Sequence, residues 1–146
     1  MSSLTQIRNA VKTTLEANVT GLKCYARVEV VNAIPTGGCA VVVAPTATDF
    51  LVAMGRGTDT YAFDLMVMVA AADLDLAQQI LDGFVTGAGS TSIRQAVFNA
   101  KTLGLSDCDA HITGMVEGSY GGRFASAAID HVGATLGLIV HTSGTA

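Results

Sequence analysis

The stretch YAFDLMVMVA, Tyr61 to Ala70, constrains this chain more than any other. Side chains alternate between the two faces of an extended strand, so Tyr61, Phe63, Leu65, Val67 and Val69 share one face. Ala62, Asp64, Met66, Met68 and Ala70 share the other. The first face is apolar throughout, whereas the second begins polar and becomes apolar. A long central strand is therefore expected, with protein covering both faces of its far half. Gly55 and Gly57, just before it, interrupt extended structure and supply the turn that feeds the strand.

The rest of the composition raises the question of where so much apolar surface goes. Half of the residues are apolar and only 14% are charged, against about 25% charged in an ordinary soluble domain. The apolar runs are short. Leu65 to Ala72 is eight residues and Val132 to Val140 nine, where a membrane-spanning helix needs about 20. Burial between subunits is favoured over a membrane. No charged segment, apolar core and cleavage site open the sequence, so export by a recognisable signal is not expected. Cys24, Cys39 and Cys108 are odd in number and scattered, which fits reduced, buried thiols in a protein made in a cytoplasm. A net charge of −4, with eight dispersed Lys and Arg, argues against wrapping nucleic acid, which needs concentrated cations.

At 146 residues the chain is expected to form one small domain, residues 1–146. Ser3 and Gln6 make a capping box, and Leu4, Ile7, Val11 and Leu15 mark one stripe of a helix ending before Gly21. Cys24, Ala26, Val28 and Val30 alternate with Tyr25, Arg27 and Glu29 as a strand with one wet face, followed by a loop from Ile34 to Gly38. Cys39 to Ala44, ending at Pro45, reads as a buried strand, and Thr48 to Ala53 as a short one. No helix separates these strands, so antiparallel pairing is the economical expectation. Asp73 can cap a second helix carrying Leu74, Ala77, Ile80, Leu81 and Phe84, stopping at Gly87 to Gly89. Ser90 or Ser92 can cap a third, with Ile93, Ala96 and Val97 inward, ending near Gly104. Ala110 to Glu117 returns to strand, Gly118 to Gly122 is a loop, and Phe124 to Ala128 reads as either strand or a short helical turn. His131 to Thr142 is a last strand, where Gly133 and Gly137 imply bulges or close backbone contact. Ser143 to Ala146 is a frayed tail. The expected fold class is thus α+β, a mostly antiparallel mixed β-sheet flanked by about three helices.

Chemistry is sparse. Asp107, Asp109 and His111 would share a face if all three lay on one strand, a spacing a metal ion could use. Asp leading into a strand is also ordinary turn chemistry, and no second His–carboxylate pair accompanies it, so no metal is expected. Asp130 beside His131, with His141 farther on, resembles an acid–base pair, but neighbours on a strand point to opposite faces. No G-x-S-x-G elbow is present, and no cysteine has a helix start or His beside it to lower its pKa. Gly55-x-Gly57 is too short for a dinucleotide fingerprint and precedes a strand where that motif follows one. Met54, Met66, Met68 and Met115 read as core filler rather than as an adaptable binding surface. Neither catalysis nor a cofactor is expected.

The order of these pieces resembles the tail terminator proteins of long-tailed bacteriophages, particularly those infecting actinobacteria. The resemblance rests on the N-terminal amphipathic helix, VVVAPTATDF, MGRGTDTYAFDLMVMVAAADLDLAQQILDGF, the helix start GSTSIRQAV and the closing DHVGATLGLIVHT. It covers almost the whole chain. It implies a ring-forming α+β subunit without catalytic residues, commonly a hexamer, at the head-proximal end of the tail tube in the virion, assembled in the host cytoplasm. Its partners would be copies of itself, the tail tube protein and the head connector or stopper. Genomic DNA would pass through the lumen without sequence-specific binding. By analogy, two loops would meet neighbours: Met54, Gly55, Arg56 and Gly57, and Gly118, Ser119, Tyr120, Gly121 and Gly122. A globule of this length is about 38 Å wide, and six in a ring leave a hole of about that width, sufficient for duplex DNA. The nearest rival is a head-to-tail connector or tail-tube subunit of the same virion, and a small metal-dependent hydrolase is a distant third.

Overall fold

A computed structural model describes residues 3–19, 21–26, 38–42, 47–49, 58–70, 74–121 and 131–143. Helix α1 (Leu4–Asn18) starts where the capping box places it. The Ser3 hydroxyl accepts from the Gln6 N–H at 3.2 Å, and the Ser3 N–H donates to Gln6 Oε1 at 2.8 Å. This reciprocal pair satisfies two otherwise unpaired helix-start donors, a cap contributing about 1 kcal/mol. Strands β1 (Lys23–Tyr25), β2 (Cys39–Val42), β3 (Ala47–Asp49) and β4 (Thr58–Ala70) follow. Then come α2 (Leu74–Val85), α3 (Ile93–Asn99), β5 (Cys108–Met115) and β6 (His131–Ser143). The chain is α+β, with three helices and a mixed sheet among the described residues.

The sheet runs β1-β2-β4-β6-β5, with β3 also paired to β4. Central strand β4 has the expected register: Tyr61, Phe63, Leu65, Val67 and Val69 are buried, while Thr60, Ala62, Asp64 and Met66 are half-buried. One edge of β4 pairs with all of β6; the other is shared by β2 and β3. Val42 lies opposite Leu65 and Ala47 opposite Ala62, so five steps along one side answer three along the other. Strands β2 and β3 therefore meet β4 in registers two residues apart.

One pairing corrects the sequence expectation. Strand β1 runs parallel to β2, with Lys23 opposite Cys39. Between Tyr25 and Cys39 lie 13 residues, enough for the crossover that parallel neighbours require. All other pairings among the described residues are antiparallel.

All three helices contribute to one face of the sheet. Ile7, Val11 and Leu15 of α1, Ala77, Leu81 and Phe84 of α2, and Ile93, Ala96 and Val97 of α3 enter a single core with the odd-numbered residues of β4 from Tyr61 to Val69 and the even-numbered residues of β6 from Val132 to Val140. Burying each large apolar side chain contributes roughly 1.5–3 kcal/mol. On the opposite face a smaller cluster of Cys39, Val41 and Met68 is fully buried, with Tyr25, Met66 and Ala70 packed beside it. The far half of β4 is thus buried at Val67, Met68 and Val69, from both faces, as its apolar pattern requires.

The second and third helices show where local signals compete. Ser92, rather than Ser90, caps α3, accepting from the Gln95 N–H at 3.2 Å. The helix stops at Asn99 instead of near Gly104: its C-cap Ala100 leaves helical geometry at φ −127°, ψ 50°, and Leu103 (φ 54°) and Gly104 (φ 74°) then turn the chain through left-handed conformations. Ser143, expected in the tail, pairs with Thr58. The expected features at Arg27 to Val30, Ile34 to Gly37, Val43 to Pro45, Phe50 to Ala53, Asp73 and Phe124 to Asp130, the side chain of Leu74, and the tail from Gly144 lie outside the described residues.

Gly133 and Gly137 imply bulges or close backbone contact, and no bulge falls in β6 against β4, where it keeps one constant offset from His131 to Ser143. The irregularity is in its other neighbour: β5 slips after Ile112, leaving Thr113 as the extra residue, and Gly114 takes φ 142°. Thr113 Oγ1 occupies the place a side chain at position 137 would need, and donates to the Gly137 carbonyl at 3.3 Å. Gly137 thus permits the close contact, and the bulge belongs to β5.

Candidate interaction surface

Of the loop residues expected at an interface, Gly118, Ser119, Tyr120 and Gly121 are described; Gly122 and Met54, Gly55, Arg56 and Gly57 lie outside the described residues. The loop is tied to the body at both ends. The Val116 N–H donates to the Thr135 carbonyl at 2.8 Å, the Thr135 N–H donates to Ser119 Oγ at 3.1 Å, and Ser119 Oγ donates to the Val116 carbonyl at 2.6 Å. Farther along, the Tyr120 hydroxyl donates to Asp82 Oδ1 on α2 at 2.5 Å. That bond, to a carboxylate that needs the phenolic proton, raises the Tyr120 pKa, and burial adds to the shift. The result is a pinned projection, with Met115, Val116 and Tyr120 exposed along it.

The grouping of Asp107, Asp109 and His111 does not form. Asp109 and His111 fall on the helix-free face of β5, two residues apart, whereas Asp107 sits in the preceding turn, where its Oδ1 accepts from the Cys108 thiol at 3.6 Å. Among the described residues no three His, Cys, Asp or Glu side chains gather as a metal site. The histidines are nevertheless not scattered. Asp109 pairs with His141 across β5 and β6, the rings of His111 and His141 stack with centroids 5.8 Å apart, and His141 Nδ1 shares a hydrogen bond of 2.8 Å with Thr60 Oγ1 on β4. His131, at the opposite end of β6, is buried, and Asp130 lies outside the described residues.

None of the three cysteines is in a disulfide, and all are buried. Burial, with a smaller contribution from Glu16, pushes the Cys24 thiol up to about 12, and burial pushes Cys39 up to about 11. Both are poor nucleophiles near neutrality.

Sequence reasoning missed the outer edge of the sheet. Among the described residues, strand β5 has β6 on one side only. On its other side a cleft of about 320 Å³ opens between the strand and α3, lined by Arg94, Phe98, Lys101, Asp109, Ala110, His111 and Ile112. Helix α3 buries Ile93, Ala96 and Val97, which leaves Arg94 and Phe98, one turn apart, on a flank that projects beyond the edge. Phe98 is 68% exposed, the most exposed of the large apolar side chains described.

No protein-family model matches the chain, and no curated protein matches it. No helix among the described residues is long and apolar enough to cross a membrane.

Proposed function

We propose that this chain is a structural subunit of a phage virion, a tail terminator that forms a ring, commonly of six copies, on the head-proximal end of the tail tube. The observation that carries this reading is the sheet face turned away from the helices. Thr60, Ala62, Asp64 and Met66 of β4 and Thr135, Gly137 and Ile139 of β6 surface its middle, half-buried and with a single carboxylate among them. A broad face with so few charges has the composition of the centre of a protein interface. The low overall charge and the sequence resemblance support the same reading.

Such a subunit acts by geometry rather than chemistry. A stack of identical rings grows because each ring presents a fresh copy of the surface it docked on, and it does not close by itself. A ring that binds the tube end but offers a different opposite face stops growth and seats the head connector. A net negative chain also suits a lumen through which DNA slides, because like charge denies phosphates a foothold.

Disrupting the corresponding gene in a phage tests this proposal. The expected outcome is filled heads without tails, together with tubes of uncontrolled length. Normal-length tails joined to heads would refute it, and complete absence of tails would favour the tube-subunit alternative.

A further inference from the structure

We propose that the free edge of β5 is a docking groove for an extended, acidic peptide segment of another protein, which adds to the sheet as a further strand. The inference does not depend on the virion reading.

The groove has the backbone groups such a segment needs. The N–H groups of Cys108 and Ala110 turn away from β6, donating to the carbonyls of Leu105 and Lys101 at 3.4 and 2.7 Å. Backbone direction alternates along an antiparallel strand, so the N–H and C=O of Ile112 turn to the same open side as the carbonyl of Ala110. Among the described residues these three groups have no hydrogen-bond partner. Four consecutive residues, Asp109 to Ile112, line the cleft although their side chains alternate between faces. What they share is the backbone edge. An unpaired edge of this kind is a template for another strand.

The walls select the partner. Lys12 and Lys23 both pair with Glu16, and Arg8 donates to the carbonyls of Ala26 and Val42. Arg94, whose guanidinium donates to the Gly87 carbonyl at 3.1 Å and keeps its charge, and Lys101 both line the cleft and have no carboxylate within salt-bridge distance among the described residues. Among the described residues the cleft therefore holds two cations against the one carboxylate of Asp109, on a chain whose net charge is −4. Phe98 adds an exposed apolar wall on which alternate side chains of a strand can rest. A nucleic-acid strand would meet the same cations, but it cannot complete a β-ladder, and Asp109 would oppose its phosphates.

The test is fluorescence anisotropy of the full chain with an end-blocked, labelled hexapeptide of alternating glutamate and valine. Saturable binding with a dissociation constant below about 1 mM is expected. Methylating alternate backbone nitrogens of the peptide should abolish binding, because the ladder is lost. Arg94→Glu with Lys101→Glu should weaken it by about tenfold or more, and Phe98→Ala by about threefold, with unchanged circular dichroism. Arg94→Gln provides a second, milder variant should the double reversal fold poorly, with an intermediate loss expected. The proposal is overturned by no saturation well above that concentration, by equal binding of the methylated peptide, by indifference to the charge changes, or by tighter binding of a lysine–valine peptide or an oligothymidine.

Discussion

Strands β4 and β6 pair through 13 consecutive positions at one offset, whereas β5, on the other side of β6, loses register after Ile112 and opens its free edge onto a cleft. The contrast follows from where each strand sits. Both edges of β4 are hydrogen-bonded and its core face is covered by helices, so a slip of one residue would turn Phe63, Leu65 and Val67 out of the core. Beyond Ala110, β5 has few buried side chains to hold its register, and its bulge twists the edge at small cost. The centre fixes the register of the sheet; the edge contributes little to it.

The sharpest way to break this comparison is to place a charge at its centre. Val67→Asp should abolish folding, because an unpaired buried carboxylate costs several kcal/mol, roughly the whole margin of a domain. Asp64→Asn, half-buried on the opposite face, should be mild. A cooperative melt for Val67→Asp would show that the register of β4 is wrong.

Centre and edge meet at Gly137. A valine there collides with Thr113 and should destabilise by about 2 kcal/mol, measured by urea unfolding. Adding Thr113→Ala should recover much of the loss; independent, additive effects would mean that the two strands do not touch as described.

The thiols give a pH signature. Their folded-state pKa values, about 12 for Cys24 and about 11 for Cys39, lie above the ordinary value of 9.0. The folded chain therefore keeps protons that the unfolded chain releases. Their stabilising contribution is fully present below pH 9 and is lost as pH rises through 9 to 12, with a limiting slope of about 1.4 kcal/mol per thiol per pH unit. Cys39→Ala should flatten that decline, and a decline unaffected by removing either thiol would count against this origin.

A smaller gain is expected at Thr142, whose buried hydroxyl has no hydrogen-bond partner among the described residues. Thr142→Val should stabilise by about 1 kcal/mol in thermal melts, since the unpaired hydroxyl is removed at nearly constant volume.

The same contrast separates what was legible in the sequence from what was not. The register of β4 could be read from alternation, and the start of α1 from Ser3 and Gln6, because both signals are local. The parallel direction of β1 could not, since it depends on the path between Tyr25 and Cys39 rather than on the strand residues themselves. Gly137 signalled a close contact correctly but not whose bulge filled it. The stacking of His111 on His141 joins residues 30 apart through the β5–β6 register, and the cleft beside β5 exists only because strand order leaves β5 outermost. Neither the register nor the strand order has a local sequence marker.

The central claim, that this is a subunit built to assemble, is tested most directly by its mass in solution. Sedimentation equilibrium of the purified chain should give a closed ring, about 89 kDa for six copies of a 14.9 kDa subunit. A mass of 14.9 kDa at every concentration would contradict it.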